Sequence, residues 1–437
     1  MQKEDVVLSA FANAFRTPDL RRKLLFVLLI LAIFRLGSQV PTPGVNVSNV
    51  QSCISQVEDQ GIYSLINLFS GGALLQLTIF ALGIMPYITA SIILQLLVVV
   101  IPRLEALKKE GQSGQTKITQ YTRYLTLGLA LLQATGIVAL ARSGNLLSGC
   151  SLSLLHDNGT STFLVMVITM TAGTAVIMWL GELITDRGIG NGMSLLIFTQ
   201  VVATFPASLW AVGNQKGWWV FGIVLVIGLV IIAAVIFIEQ AQRRIPVQYA
   251  RRMVGRKMFG GSSTYIPLKV NQAGIIPVIF ASSLLYLPAM ASQFNPNSDS
   301  VWVRYINDYL VQGTHPLYML TFFLLIVFFT YFYVSITFNP EEVADNMKKY
   351  GGFIPGIRAG KPTEDYLSYV LSRITFPGAL YLGLISLIPL IAFVVIDANQ
   401  NVPFGGTSIL IMVGVALDTV KQIESQLQQR NYEGFLK

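Results

Sequence analysis

Long apolar runs recur along the whole chain, and they constrain its fold more than any other feature. A helix of roughly 20 apolar residues crosses the ~30 Å hydrocarbon core of a bilayer. The runs are unbroken rather than alternating, so they predict transmembrane helices and not the strands of a barrel. The predicted spans are residues 24–40, 76–100, 122–141, 162–181, 191–209, 217–238, 273–290, 316–338, 374–395 and 404–420.

The composition agrees with a membrane interpretation. Apolar residues make up 53% of the 437 residues and charged residues only 12%, about half the usual share in soluble proteins. A soluble fold of this length needs more charge to cover its surface. We therefore predict an all-α polytopic membrane protein with ten transmembrane helices and no soluble catalytic domain.

Lysine and arginine placement predicts the orientation, because cytosolic loops carry the excess of basic residues. With a cytosolic N-terminus, 26 of the 30 basic residues fall in cytosolic segments. The exceptions are Arg142, Lys216 and Arg304 outside, and Arg35 within the first span. Both termini are therefore expected in the cytosol, and the net charge of +8 faces that side.

The predicted spans contain almost no ionisable side chains, and this argues against several classes of membrane protein. Every Asp and Glu lies outside the spans or at a cytosolic end, as Glu239 and Asp418 do. Ion-coupled carriers usually hold ionisable groups near the midplane, and intramembrane proteases need catalytic side chains that these spans lack. The sequence suggests no metal site and no cofactor, and a disulfide between Cys53 and Cys150 stays open.

Two segments repeat each other within predicted spans two and seven. Residues 83–91 read GIMPYITAS and residues 274–282 read GIIPVIFAS, which are identical at six of nine positions. Each is the second span of a five-span half, and because five is odd the halves cross the membrane in opposite directions. This pattern is typical of an inverted-topology repeat with a pathway at the repeat interface. We expect Pro86 and Pro277 to bend their helices.

Other features are ambiguous from sequence alone. Gln95, Gln133 and Asn271 lie in or beside spans, and either interhelical packing or a functional role fits them. The glycines of residues 188–192 indicate a flexible helix entry rather than a dinucleotide loop, because no strand precedes them. The apolar segment Ile62–Gly72 is too short to cross, so it is either a re-entrant plug or an interfacial helix.

The order of short motifs along the chain resembles the bacterial SecY family, whose members form the pore of the general protein-secretion channel. The resemblance covers nearly the whole chain. It is carried by FRLG (34–37), PTPG (41–44), NLFSGGA (67–73), GIMPYI (83–88), KKEG (108–111), QYTRY (120–124), GE (181–182), RGIGNG (187–192), PLKVN (267–271), FNP (338–340), PGIR (355–358) and FGGTS (404–408).

The resemblance implies two halves, residues 1–209 and 210–437, that pack like a clamshell around an hourglass pore and hinge near residues 208–217. It implies a lateral gate between spans two and three on one side and seven and eight on the other, with the amides Gln95, Gln133 and Asn271 at it. Met193 departs from the branched aliphatic residue usual at its ring position. The implied pore ring is Ile84, Ile88, Met193, Ile197, Ile279 and Ile411, and the implied plug includes Ile62, Leu65, Ile66, Leu68, Phe69, Ser70, Gly71 and Gly72.

The resemblance also implies partners. The long cytosolic loops, about 240–272 and 339–373, resemble docking loops for the ribosome and the motor ATPase SecA, and the family adds the subunits SecE and SecG. The expected function is a passive, non-enzymatic channel for unfolded polypeptides in the bacterial plasma membrane. An inverted-repeat secondary transporter for small solutes is the alternative. The docking side chains implied are Arg243, Arg244, Arg251, Arg252, Arg256, Lys257 and Arg358.

Overall fold

The computed structural model describes most of the chain. The described residues are 17–57, 72–74, 76–144, 152–157, 159–249, 252–254, 257–259, 263–293, 309, 315–396 and 406–435. Within them the chain forms thirteen α-helices and five short strands. The predicted all-α polytopic membrane fold is confirmed, with the strands confined to the predicted cytosolic loops.

Each of the ten predicted spans falls on one of these helices. Three further helices, α2, α4 and α11, lie between spans. The helices are α1 Pro18–Gly37, α2 Val47–Val57, α3 Met85–Val100, α4 Pro102–Lys109, α5 Gln112–Arg142, α6 Thr160–Arg187, α7 Gly192–Lys216, α8 Trp218–Gln240, α9 Ile276–Gln293, α10 Pro316–Thr337, α11 Pro340–Lys349, α12 Lys361–Ile396 and α13 Gly406–Phe435.

Length and apolar composition alone mark five described segments as able to cross a membrane: Gln112–Arg142, Thr160–Arg187, Phe221–Gln240, Pro316–Lys349 and Lys361–Ile388. A sixth is possible if α3 and α4, which meet at a 99° bend, count as one broken span. The apolar parts of α7 and α9 are shorter, at Gly192–Pro206 and Ile276–Leu285. The chain therefore combines long spanning helices with shorter apolar ones.

The second predicted span is helical only from Met85 onward, so the prediction of a helix from residue 76 was wrong. Residues 76–84 form successive turns, in which Leu77 is buried with a left-handed φ of 48°. Their backbone bonds to the chain after α1, where Leu77 O accepts from Thr42 N and Ile79 N donates to Val40 O, both at 3.0 Å. Irregular backbone is tolerated at membrane depth when protein buries it and satisfies its hydrogen bonds.

The segment around α2 is joined to the chain before α6. Asn46 N donates to Leu154 O at 2.9 Å, and His156 N donates to Gly44 O at 3.0 Å. The Asn49 amide adds a bond to Ser153 O at 2.9 Å. Cys53 of α2 is buried and disulfide-bonded; the chain's other cysteine, Cys150, lies outside the described residues.

The two long loops that were predicted to be cytosolic share a three-stranded β-sheet. Strands β1 (Gln242–Tyr249) and β4 (Ser263–Lys269) pair antiparallel along their length, and β5 (Gly352–Phe353) adds to the far end of β1 through Gln248 and Tyr249. Strands β2 (Arg252–Val254) and β3 (Lys257–Phe259) form a separate two-stranded ladder. The first long loop is therefore bound to the second.

Four apolar clusters organise the packing of these elements. One lies wholly within residues 45–170. A second is built mainly from α8, α9, α10, α12 and α13, with Ile92 of α3. A third joins α1, α3, α6 and α7 to Ile411 and Val415 of α13. The fourth buries one face of the sheet against α11 and α12.

The connection between predicted spans five and six is shorter than expected. Helix α7 continues to Lys216, and Gly217 alone, at a φ of 92°, separates it from α8. Trp218 packs edge-on against Trp210 and Phe221, with ring centroids 5.4 and 5.5 Å away. Most of the predicted hinge at 208–217 is thus helical. The division of the chain at this point stays a prediction.

Candidate functional site

The sequence repeat is also a repeat of local structure. Gly83 and Gly274 both have left-handed φ values, 56° and 62°. In the first copy, Ile84 O accepts from the amides of residues 87 and 88 at 3.1 and 3.2 Å. In the second copy, Ile275 O accepts from the amides of residues 278 and 279 at 3.1 and 3.3 Å. Both copies therefore begin a helix with the same turn.

The prolines of the repeat have a different role from the one expected. Pro86 is the second residue of α3 and Pro277 the second residue of α9. A proline in the first turn costs the helix no hydrogen bond, because the amide there has no partner within the helix. The expectation that these prolines bend helix interiors was wrong. They fix where each helix begins.

Five of the six predicted ring residues come together in one apolar cluster. Ile84, Ile197 and Ile411 are buried there, and Ile88 and Met193 pack against it partly buried. Ile84 is the most enclosed, with 1% of its surface exposed. These residues come from α7, α13 and the start of α3, which are far apart in sequence.

The sixth predicted ring residue, Ile279, is buried on α9 but does not belong to this cluster among the described residues. Ile275, one turn earlier, packs against the cluster instead. Ile275 is the repeat counterpart of Ile84, so the two copies of the motif contribute equivalent residues. Sequence reasoning missed Ile275, although the alignment of the two repeats pointed to it.

Met193 is accommodated because the facing residue has no side chain. A Cβ at Gly181 of α6 would lie 2.4 Å from Met193 Sδ, and a Cβ at Gly192 would lie 1.9 Å from Gly181 O. Asn191 caps α7 by accepting from Met193 N at 3.1 Å and Ser194 N at 3.4 Å. Gly188 and Gly192 allow close packing at this helix entry, and Gly190 takes a left-handed φ of 91°. That the entry is flexible stays a prediction.

The three amides predicted at a lateral gate are held separately. Gln95 on α3 is exposed and bonds to Ser91 Oγ at 3.4 Å, whereas Gln133 on α5 is buried. Asn271 is 2% exposed and donates to Glu239 Oε1 at 2.6 Å and to Gly274 O at 3.1 Å. In the described chain, none of the three bonds to another.

Helices α3 and α9 nonetheless lie side by side at the predicted gate. Ile92 of α3 belongs to the same apolar cluster as Val278, Phe280 and Ala281 of α9. Apolar side chains of the two repeat-bearing helices therefore belong to one packed cluster. The amides flank this packing and do not bridge it.

The basic side chains predicted for docking are exposed where the structure describes them. Arg243 and Arg244 lie on β1, and Arg244 stacks over Tyr265 with its Cζ 4.9 Å from the ring centroid. Arg358 is exposed after β5. Arg252 and Lys257 lie on β2 and β3 with side chains that are not described, and Arg251 and Arg256 lie outside the described residues.

Most of the predicted plug also falls outside the described residues. This applies to Ile62, Leu65, Ile66, Leu68, Phe69, Ser70 and Gly71. Gly72 is described, and its φ of 90° is left-handed.

Comparison with known proteins places this architecture in one family. The family model for SecY matches residues 78–420. A protein translocase subunit SecY of Streptomyces galbus is 66% identical over 99% of this chain and 100% of its own length. A protein of the same description from Mycobacterium bovis is 61% identical over the same shares. The chain belongs to the SecY family.

Solved structures of SecY-family channels share the fold. One, described as the structure of a protein conducting channel, has a TM-score of 0.62 at 19% identity and covers 92% of this chain and 91% of its own. A Sec61 structure from a canine ribosome–channel complex has a TM-score of 0.59 at 18% identity and covers the same shares. The expected family is thus confirmed, and these matches give no support to a secondary transporter.

Proposed function

We propose that this chain is the central subunit of a protein-conducting channel. It passes unfolded secretory polypeptides across the bacterial plasma membrane and releases hydrophobic segments sideways into lipid. The observation that carries the proposal is the apolar cluster in which Ile84, Ile197 and Ile411 meet from distant parts of the chain. Membership of the SecY family along the full length supports the same function.

The chemistry of the cluster fits this task. A narrow apolar neck excludes water and ions by dewetting, yet it yields to a passing chain. Charged ligands there would bind some sequences and stall others. Met193 adds a flexible, polarisable side chain to the ring. We propose Ile84, Ile88, Met193, Ile197, Ile279 and Ile411 as the seal, with Ile62–Gly72 as the plug on its outer side.

Polypeptides have to be driven through such a passive pore by a partner, and we propose that the cytosolic sheet docks that partner. The exposed Arg243, Arg244 and Arg358 suit acidic protein surfaces or ribosomal RNA phosphates. Phosphate contacts of this kind weaken as salt rises. The proposed partners are the ribosome and the motor SecA, with SecE and SecG as companion subunits and both termini in the cytosol.

Site-specific photo-crosslinking tests the channel directly. A photoreactive residue placed at Ile84 or Ile411 should capture a secretory chain stalled during export. The matched control is Leu229 of α8, which lies 58% exposed on an apolar span and should face lipid. Capture at the ring without capture at Leu229 supports the pore. Equal capture at all three positions would contradict it.

A further inference from the structure

A buried contact ties the end of α8 to the residue just before α9. Glu239, in the last turn of α8, is 9% exposed, and its Oε1 accepts a 2.6 Å hydrogen bond from Asn271 Nδ2. The same Nδ2 donates to Gly274 O at 3.1 Å. Hydrogen bonds to a carboxylate are shorter and stronger than those between neutral groups. Asn271 is therefore held by its nitrogen from two sides.

Asn271 lies at the junction between the docking sheet and the predicted gate helix. Gln242 pairs with Lys269 at the base of β1 and β4, and Val270 N donates to Ala241 O at 3.0 Å. Gly274 then makes the left-handed turn that starts α9. Only Asn271, Gln272 and Ala273 separate the base of the sheet from that turn, so a displacement of the sheet reaches α9 through them.

The surrounding packing holds this junction firmly. Val270 O lies so close to Gly378 of α12 that a Cβ there would be 2.4 Å away. Lys269 N donates to Gln272 Oε1 at 3.2 Å, and Lys269 Nζ lies 3.7 Å from Asp418 of α13. Asn271 Oδ1 is buried and has no hydrogen-bond partner among the described residues. An unpaired buried acceptor is costly, so this arrangement of Asn271 depends on what holds its nitrogen.

We propose that Glu239 is a positioning residue for the lateral gate. By holding Asn271, it keeps the start of α9 where α9 packs against α3, and its release makes the seam easier to open. The inference rests on the proposed channel function. It adds a residue of α8, outside the four helices of the gate, and connects the docking sheet to the seam.

Exchanging the donor and the acceptor of this hydrogen bond distinguishes a positioning role of Glu239 from a general effect on the stability of the protein. Asn271→Asp places two carboxylates against each other and should release the junction. Adding Glu239→Gln should restore the contact between residues 239 and 271, because the Gln amide can donate to the new carboxylate, whereas Gly274 O stays without the donor that Asn271 supplies. The readout is the export of a precursor with a shortened apolar signal, relative to one with an intact signal, in membranes holding the full channel complex. A looser seam admits the weak signal, so this ratio rises.

We expect Asn271→Asp and Glu239→Leu each to raise the ratio about tenfold, on the scale of losing one strong hydrogen bond. The double variant Glu239→Gln/Asn271→Asp should lower the ratio severalfold from that of Asn271→Asp, without reaching the unmodified value, because the bond to Gly274 O is not restored. Gln200→Leu is the matched control, since it also removes a buried amide, but one whose Oε1 and Nε2 have no hydrogen-bond partner. It should leave the ratio unchanged.

Two outcomes would overturn the inference. One is an unchanged ratio in Glu239→Leu and Asn271→Asp. The other is a raised ratio in Asn271→Asp that adding Glu239→Gln does not lower. If the Glu239→Leu variant fails to accumulate in the membrane, the comparison of Asn271→Asp with Glu239→Gln/Asn271→Asp tests the inference by itself. Ring crosslinking of a stalled chain in the same membranes separates this failure from a failure of the channel function, because that crosslinking depends on the pore and not on Glu239.

Discussion

At the scale of single residues, two glycines, Gly181 and Gly192, allow α6 and α7 to pack closely against each other. Gly192 packs on the carbonyl of Gly181, and Met193 fills the space that Gly181 leaves. Both contacts involve the entry of the helix that carries two ring residues. The position of Met193 and Ile197 therefore depends on glycine at 181 and 192.

Gly192→Ala tests this dependence. The new Cβ would meet the backbone oxygen of Gly181, which cannot rotate away, so α7 must shift. We expect a loss of about 1–3 kcal/mol of stability, the usual cost of overpacking. Thermal unfolding of the detergent-purified complex measures it. Gly128→Ala on α5 is the control, because a Cβ there meets nothing within 4 Å. It should be neutral or stabilising by at most about 1 kcal/mol, and equal losses in both would contradict the packing argument.

Some of these residue-scale features could be read from the sequence and others could not. The resemblance pointed to Ile84 and Ile88, which both lie in the repeat; Ile84 is buried in the apolar cluster of predicted ring residues and Ile88 packs against it. The glycine run was visible, but whether glycine gives flexibility or close approach depends on the facing helix, which local sequence does not specify. The bond from Asn271 to Glu239 joins residues 32 apart. The sequence around each of these two residues gives no indication that the other is its partner.

At the scale of elements, the three-stranded sheet joins the two long loops that were predicted to be cytosolic. Ile245 and Val247 of β1, Leu268 of β4 and Ile354 after β5 share an apolar cluster with Leu367 and Val370 of α12. Helix α12 then continues as one helix to Ile396. The sheet is thus packed directly on a helix that contains a predicted span.

Ile245→Ala should destabilise the packing of the three-stranded sheet against α12. Ile245 is buried, and truncating such a residue typically costs about 2–5 kcal/mol. We expect faster amide hydrogen exchange in β1, β4 and β5, including β5 although it belongs to the other loop. Thr264→Ala on β4 changes an exposed residue and is the control. Accelerated exchange in β1 and β4 with β5 unchanged would show that the two loops are independent.

Hydropathy predicted the helices well and the irregular elements poorly, for a physical reason. Apolar runs report burial in lipid or protein, and each of the ten predicted spans contains a helix. Residues 76–84 are just as apolar, yet they fold as turns because Val40 and Thr42 supply their backbone hydrogen bonds. The strands were missed because β1 and β5 are about a hundred residues apart, and because Arg243 and Arg244 dominated the local pattern of β1.

At the scale of the whole molecule, the apolar cluster that contains five of the predicted ring residues is built from distant segments of the chain. Its members extend from Val27 on α1 to Val415 on α13. A separate cluster lies within residues 45–170, and another is built mostly from the second half. Two of the three clusters thus draw on segments from both sides of residue 209, and the division there stays a prediction.

Ile84→Ser should weaken that seal. A hydroxyl at the most enclosed ring position lets water enter a neck that otherwise excludes it. We expect a severalfold rise in ion leak through the resting channel, measured as ion flux across liposomes containing the complex. Ile177→Ser is the control, since Ile177 is buried in the same cluster on α6 but is not a ring position. A leak of equal size in both variants would mean that general loosening, and not the ring, sets the seal.

Arg358→Glu should separate motor-driven export from assembly of the channel. The turn carrying Arg358 is fixed on both sides, because Ile357 N donates to Ile354 O at 3.0 Å and Thr363 Oγ1 donates to Arg358 O at 2.9 Å. The exposed side chain is thus displayed on a rigid support, and reversing its charge should repel an acidic partner while leaving the fold intact. We expect strongly reduced export of a motor-dependent precursor in reconstituted vesicles, with normal membrane insertion of the variant. Lys361→Glu, an exposed charge reversal at the start of α12, is the control. Normal export by Arg358→Glu would remove Arg358 from the proposed docking site.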